Sequence, residues 1–87
     1  MLIIIHTSKF DKQFRILSEK IQRKTIDRLQ IFIKDEFCEI LNNHQLHGEY
    51  VGCRSINITG NIRLVYKEVN KGTCRLVAIG THNQLYE

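Results

Sequence analysis

The feature that most constrains the fold is a change of hydrophobic period near Gly52. Beyond this residue apolar and polar side chains alternate, as they do around Ile56 and Ile58, which is typical of half-buried strands. Turn-forming triplets at 59–61 and 70–72 interrupt the alternation. The pattern predicts three strands joined by tight turns, which form an antiparallel meander. These strands are expected around Ile56, at 62–69 and at 74–79.

The first half of the chain shows helical spacing after a short β-branched opening. Residues 2–6 predict a buried strand, which we place at the edge of the sheet. Thr7 and Ser8, with Asp11 three residues after Ser8, indicate a helix start with a variant of the capping box. The first helical stripe consists of Phe10, Phe14, Leu17 and Ile21. A second helix is predicted at 23–37, and its apolar stripe consists of Ile26, Leu29, Ile33 and Phe37.

Two amphipathic helices in succession need another layer to cover their apolar faces. The expected fold is therefore α+β, in the order β-α-α-β-β-β, with an antiparallel sheet packed on a two-helix hairpin. Asn42 and Asn43 end the helical half. A length of 87 residues predicts one domain, spanning 1–87. A chain of this size buries only about 60–65% of its unfolded surface, so a binding partner could add to its stability.

Composition and charge narrow the class of protein. The hydrophobic share of 43% is that of a globular chain, not a disordered one. Its net charge of +4 suits an anionic partner but does not establish one. The apolar run at 2–5 is too short for a secretion signal or a membrane span. The odd set of Cys38, Cys53 and Cys74 lacks metal-motif spacing, so we expect reduced thiols in a cytoplasmic protein without a membrane segment.

Arg63 is a charged residue inside a predicted strand, between Ile62 and Leu64. Such a residue must point away from the core or be paired. Its guanidinium could stabilise the charge that grows on a scissile phosphate in the transition state, or it could be an ordinary exposed arginine of a sheet. Arg54, on the neighbouring strand, could add to the same positive field or form a structural ion pair.

Three histidines lie at strand ends or in loops. His82 follows the last strand, whereas His44 and His47 lie between the helices and the sheet. An imidazole titrates near neutral pH and can act as an acid or a base, although each of these could be a plain exposed histidine. Tyr86, four residues beyond His82, could stack on a base, supply a hydroxyl group to a leaving oxygen, or anchor the tail by packing.

The order and spacing of these residues resemble the YafQ branch of the RelE/ParE superfamily, the toxins of bacterial type II toxin–antitoxin pairs. The resemblance covers about residues 41–86, together with a compatible strand–helix–helix opening. It rests on a specific series rather than on any single motif. The series is Leu46-x-Gly48, Gly52-x-Arg54, Arg63-Leu64-Val65-Tyr66, and Gly80-Thr81-His82 followed by Tyr86.

The resemblance implies the same α+β fold, with RNA bound on the concave sheet face opposite the helices. It implies catalytic roles for four residues: His44, Arg63, His82 and Tyr86. His44 matches a catalytic histidine two residues before the leucine of the series, and Arg63 matches a phosphate-binding arginine of RelE-like members. The residues expected to contact RNA are Arg54, Asn57, Asn61 and His47, of which His47 has no clear family counterpart.

Two positions depart from the family pattern. The branch can have a histidine where this chain has Asn57, and it usually has an acidic residue where this chain has Asn61. The tryptophan that can follow the acidic residue is Ile62 here. Amides can form hydrogen bonds with a phosphate or a base, but they cannot transfer a proton near neutral pH. A slower enzyme, or an inactive one, is therefore an open alternative.

The function implied by the resemblance is an endoribonuclease toxin that cleaves mRNA on the ribosome and is silenced by a cognate antitoxin. Cleavage through the 2′-hydroxyl needs no metal, and the scattered His and Cys residues predict neither a metal site nor a cofactor. Two rivals remain: a ParE-like inhibitor of DNA gyrase, and a degenerate homologue that only binds antitoxin or RNA. The three retained residues His44, His82 and Tyr86 argue against the gyrase inhibitor. Codon preference and the identity of the antitoxin are not encoded in any recognisable motif.

Overall fold

One mixed sheet and a helical layer make up the computed structural model, which describes residues 2–86. Along the chain the elements are β1 (Ile3–His6), α1 (Ser8–Arg15), α2 (Glu19–Lys34), β2 (His44–Gln45), β3 (Arg54–Asn57), β4 (Ile62–Asn70), β5 (Thr73–Thr81) and α3 (His82–Tyr86). Single 3₁₀ turns occur at Glu39–Leu41 and Gly48–Tyr50. The predicted α+β class is confirmed, while β2 and α3 were not predicted.

The strands are arranged in the order β1-β5-β4-β3-β2. The pairs β2–β3, β3–β4 and β4–β5 are antiparallel, which confirms the predicted meander. β1 lies at the edge, as expected, but it runs parallel to β5. The sheet is therefore mixed rather than wholly antiparallel.

The expectation that residues 2–6 form a buried strand is wrong in part. Ile3 and Ile5 are 64% and 42% exposed, whereas Ile4 packs against the core. An edge strand with helices on one side only buries alternate side chains. The β-branched residues of this run therefore predict a strand, but they do not predict that both of its faces are buried.

The helix boundaries differ from prediction because the cap of α1 was placed one residue late and the cap of α2 was not recognised. Thr7, not Ser8, caps α1, since its Oγ1 accepts a hydrogen bond from the Phe10 N–H at 3.1 Å. Ser18 caps α2, since its Oγ accepts from the Ile21 N–H at 3.3 Å. The predicted stripe through Leu17 therefore crosses a helix break, and α2 both starts and ends earlier than the predicted range 23–37.

The buried face of α2 is also rotated from the predicted stripe. Ile26 and Phe37 are 51% and 61% exposed, while Phe32 and Thr25 are fully buried. Phe32 packs edge-to-face on Tyr66 of β4, with ring centroids 4.7 Å apart. The Thr25 hydroxyl donates to the Ile21 carbonyl oxygen at 2.8 Å, which satisfies it inside the core.

The sheet has an apolar cluster on each face. The larger cluster contains Phe10, Phe32, Leu64, Tyr66 and Leu76 and packs under α1 and α2. The smaller one, on the opposite face, consists of Leu46, Tyr50, Cys53, Val65, Ala78 and Leu85. The smaller cluster packs against the segment between β2 and β3 and against the C-terminal helix. It therefore helps to position both of these parts of the chain, which surround the site described below.

An irregularity in β5 assigns side chains to these two clusters. Val65 pairs with Ala78, but the next residue, Tyr66, pairs with Leu76. Val77 is the extra residue, and such a bulge shifts the alternation of the strand. Leu76 consequently joins the helix-side core while Ala78 faces the other way.

The three cysteines are free, as expected. Cys53 and Cys74 are buried. Burial raises the pKa of the Cys74 thiol to about 11, so this thiol stays protonated at neutral pH and behaves as a small apolar side chain.

Replacing Phe32 with alanine tests the revised face of α2. Removing a fully buried phenylalanine leaves a cavity against Tyr66 and should lower the free energy of unfolding by about 3–5 kcal/mol. Phe37→Ala is the matched control, and it should cost less than about 1 kcal/mol because the ring is mostly exposed. Urea denaturation of both variants measures the difference. Equal losses would contradict the observed helix face.

Candidate functional site

An open cavity of about 350 Å³ lies on the sheet face away from α1 and α2. Its lining combines two histidines from the segment between the helices and the sheet, the strand arginine, and His82 and Tyr86 of the C-terminal helix. The lining residues are His44, Gln45, Leu46, His47, Arg63, His82 and Tyr86. The four residues predicted to be catalytic, together with His47, thus come together from β2, β4, α3 and one loop.

Arg63 is held by the turn that precedes it. Its Nη1 donates to the carbonyl oxygens of Thr59 and Gly60 at 3.0 and 2.9 Å. These bonds use both hydrogens of Nη1, and a guanidinium has five N–H donors in a rigid fork. Nε and Nη2 make no further hydrogen bond within residues 2–86, so the anchored side chain retains donors for an anion.

Asn57 and Asn61 lie on either side of this anchored arginine. Asn57 is the cross-strand partner of Arg63, and its buried Oδ1 lacks a hydrogen-bond partner among residues 2–86. Asn61 is exposed in the turn, where its N–H donates to Thr59 Oγ1 at 3.2 Å. Neither asparagine lines the cavity.

His82 owes its position to a helix cap. The Thr81 hydroxyl oxygen accepts from the Gln84 N–H at 3.1 Å, and Gln84 Oε1 accepts from the Thr81 N–H at 2.8 Å. This is a capping box, and its Thr-x-x-Gln signature is visible in the sequence although it was not recognised. A Cβ on Gly80 would lie 2.8 Å from Gln84 Oε1, so a side chain there would force the end of the Gln84 side chain to shift and would disturb this cap.

The cap places His82 and Tyr86 four residues apart on one helix, and therefore on the same side. Their rings meet edge-to-face with centroids 4.7 Å apart. Tyr86 packs in turn on Tyr50 at 6.0 Å, and Lys9 of α1 reaches the Tyr50 hydroxyl at 3.4 Å. The Tyr86 hydroxyl is buried with no partner among residues 2–86. Neither Tyr50 nor Lys9 was identified from the sequence, because only the tertiary contact joins them to the site.

His44 stands on a short strand next to a strained turn. Asn42 adopts a left-handed conformation, with φ of 47°, and its carbonyl oxygen lies 2.9 Å from His44 Nδ1. A carbonyl can only accept, so the neutral imidazole must have its hydrogen on Nδ1. Nε2 then holds the lone pair, which suits a proton acceptor.

Arg54 does not join the other candidate residues. It pairs across the sheet with Tyr66, and directly opposed residues share a face, so Arg54 lies on the helix side. Its Nε donates to Asn43 Oδ1 at 2.7 Å, and its guanidinium packs on the Phe37 ring at 5.2 Å. Arg54 and Arg63 therefore lie on opposite faces of the sheet, and the structure does not place Arg54 where it was expected to add to the positive field around Arg63.

Within residues 2–86, no group of three or more His, Cys, Asp or Glu side chains is arranged to hold a metal ion. No helix in this described part is long and apolar enough to cross a membrane.

The fold matches those of solved toxins. YafQ from E. coli superposes with a TM-score of 0.82 at 18% identity, covering 100% of both chains. The YoeB/ParE toxin from Agrobacterium tumefaciens gives 0.77 at 16% identity, covering 93% of this chain and 99% of its own. A chain of the E. coli DinJ–YafQ complex gives 0.74 at 20% identity, covering 100% of both. At these identities the likeness establishes the fold, which is that of a RelE/ParE-type toxin. No curated protein sequence matches the chain.

The sequence itself identifies the family. A family model described as "Bacterial toxin of type II toxin-antitoxin system, YafQ" matches residues 3–87. The chain therefore belongs to the YafQ family of the RelE/ParE superfamily and is a toxin of a type II toxin–antitoxin system. This confirms the family predicted from the motif series.

Replacing Gly80 with alanine should loosen α3. The new Cβ would displace Gln84, and a broken cap costs on the order of 1 kcal/mol. Hydrogen exchange at the Gln84 amide should accelerate by roughly 5–10-fold. Gly60→Ala is the control, because a Cβ there meets nothing within 4 Å. Identical exchange rates in the two variants would show that the cap does not hold the helix.

Proposed function

We propose that this toxin is a metal-independent endoribonuclease that cleaves mRNA through the 2′-hydroxyl of the substrate. One observation supports this most strongly: three imidazoles, a guanidinium and a phenol line a single open cavity. Transfer of a phosphodiester needs a base, an acid and a cation. His44, His82 and Arg63 can supply these three functions, and Tyr86 lies beside His82.

The proposed reaction is an internal transfer. The 2′-oxygen gives its proton to a base and attacks phosphorus, while the bond between phosphorus and the 5′-oxygen breaks. An acid donates a proton to the departing 5′-oxygen. The products are a 2′,3′-cyclic phosphate and a free 5′-hydroxyl, and no external nucleophile enters.

The roles of His44, His82 and Tyr86 are assigned from their hydrogen bonds and from their positions in the cavity. His44 is assigned as the base, since its Nδ1 is engaged by the Asn42 carbonyl and leaves Nε2 free. His82 is assigned as the acid. Tyr86 is assigned to the leaving 5′-oxygen, because its side chain lines the same cavity as His82.

The phosphate is assigned to Arg63. Its Nη1 is anchored on two carbonyl oxygens, so its remaining donors are preorganised for the charge that develops in the transition state. Asn57 is assigned to an RNA contact next to this phosphate because it is the cross-strand partner of Arg63, while exposed Asn61 and His47 would contact the strand further along. Arg54 is withdrawn from this set because it faces the helices.

The partners are proposed from the family and from charge. The solved E. coli DinJ–YafQ and S. aureus YoeB–YefM complexes pair related toxins with antitoxins, and we propose a cognate antitoxin for this chain. We further propose that the substrate is ribosome-bound message in the cytoplasm. The net charge of +4 favours both an acidic antitoxin segment and RNA.

Removing the cation should slow the chemical step. Arg63→Ala should lower the cleavage rate by roughly 10²–10³, as loss of other charge-stabilising donors does. The fold should persist, because Arg63 is only partly buried and contributes little to the core. Arg75→Ala on β5 is the matched control, since that arginine is exposed. The rates are measured on purified protein with RNA.

The same variants test the function in cells. Induction of the wild-type protein should arrest growth and create new RNA 5′ ends, which sequencing of transcript ends detects. DNA supercoiling is measured in parallel. Intact transcripts with poisoned gyrase would replace the nuclease by a ParE-like inhibitor, and growth without either effect would indicate a degenerate homologue.

Two imidazoles acting as base and acid predict a bell-shaped dependence of rate on pH, provided that chemistry limits the rate. His44→Gln should remove the limb that rises with pH, because the base no longer loses a proton. His82→Gln should remove the limb that falls. RNA binding, measured by a gel-shift titration, should be largely retained. Wild-type profiles in both variants would exclude the imidazoles from catalysis.

Co-expression with the neighbouring small open reading frame tests the partner. The two chains should co-purify as a complex that blocks cleavage and weakens as salt is raised, since screening reduces charge attraction. Absence of any complex with a genomic neighbour would contradict the proposed pairing.

A further inference from the structure

A partly buried polar network adjoins the segment that presents His44. Asn43 is at its centre. Its Nδ2 donates to the Tyr66 hydroxyl at 2.6 Å and to the Glu36 carbonyl oxygen at 2.9 Å. Its Oδ1 accepts from Arg54 Nε at 2.7 Å. The Tyr66 hydroxyl donates onward to Glu36 Oε2 at 2.8 Å.

These bonds admit only one orientation of the Asn43 amide. If the amide were rotated by 180°, Oδ1 would face the carbonyl oxygen of Glu36, which is also an acceptor. Its NH₂ group would face Arg54 Nε–H, which is also a donor. Both hydrogens of Nδ2 are used as observed, so donors and acceptors match throughout.

The network reaches the core through Tyr66 and joins three parts of the fold. Tyr66 is fully buried, and burial raises the pKa of its hydroxyl far above the ordinary value, so it remains a donor. Glu36 follows α2, Tyr66 belongs to β4 and Arg54 to β3. Asn43 therefore ties the loop after α2 to the centre of the sheet.

His44 depends on this tie because of its place in the chain. It follows Asn43 directly, and its Nδ1 contacts the carbonyl oxygen of Asn42, the residue before Asn43. β2 has only two residues, so its ladder bonds alone fix little of the segment. Fixing the Asn43 side chain fixes the backbone on both sides of it, including the carbonyl that orients the imidazole.

We propose that Asn43 and Arg54 are positioning residues that hold His44 in the tautomer and orientation of a general base. Arg54 acts through Asn43 and does not contact RNA. The role of His44 as a base rests on the proposed nuclease function. The orientation of its imidazole does not, because it is a property of the folded protein alone. It also explains why an arginine of the family motif series lies on the helix side of the sheet.

The distinguishing variant is Arg54→Lys. Lysine retains the positive charge but lacks the planar fork and the Nε–H donor. A residue that attracted RNA by charge would tolerate the change, whereas a positioning residue would not. Asn43→Ala removes the centre of the network, and Arg75→Lys on the exposed part of β5 is the matched control.

The primary measurement needs no activity. Long-range ¹H–¹⁵N spectra of the ¹⁵N-labelled full chain, recorded above the titration range of the imidazoles, report the tautomer of each histidine. In the wild type and in Arg75→Lys, His44 should show hydrogen on Nδ1. In Arg54→Lys and Asn43→Ala it should shift towards a mixture of tautomers, while His82 stays unchanged.

Kinetics supply the second measurement. A misplaced base should lower the cleavage rate by up to about 10²-fold with RNA affinity retained in Arg54→Lys. An unchanged His44 tautomer in both variants would overturn the proposal, whatever the activity. Loss of the folded amide spectrum in both would overturn it too, since the network would then stabilise the whole domain. A changed tautomer in a protein without nuclease activity would instead support the positioning and refute only the proposed function.

Discussion

The pairing of β4 with β5 is the interaction on which the rest of the protein depends. Both strands have nine residues, and they lie at the middle of the sheet. One face of the pair supplies Leu64 and Tyr66 to the core under the helices, and the other presents Arg63 next to the turn that anchors it. Burial on one face therefore stabilises the geometry of the other, because side chains of a strand alternate.

The two ends of the site are fixed by different physical means. His82 and Tyr86 are placed by a local cap of two reciprocal hydrogen bonds, which involves only neighbours in sequence. The segment around His44 is tied to the core by the Asn43 side-chain amide, whose two N–H hydrogens and oxygen atom all form hydrogen bonds. A small domain with a modest core can hold a site in this way, since buried polar networks specify one arrangement when every member is satisfied.

Local signals in the sequence were sufficient for the meander, the α+β class and the family. Alternating residues around Ile56 and the turns at 59–61 and 70–72 determine strands without reference to distant contacts. The helix boundaries were predicted less well, because Thr7 and Ser8 are both candidates for the cap of α1 and the cap formed by Ser18 was not recognised. The capping box at Thr81 was equally local and could have been found.

By itself, then, the sequence determined the four longer strands, the two long helices, and which residues have the chemistry to act on RNA. Only the tertiary structure decided which of those residues meet. Because Val77 is an extra residue in β5, Leu76 and Ala78 lie on opposite faces of the sheet. No local sequence pattern predicts this bulge. Arg54 and Arg63 are both strand arginines, yet one pairs opposite Tyr66 and the other opposite Asn57. The register between strands places them on opposite faces of the sheet, because cross-strand partners share a face.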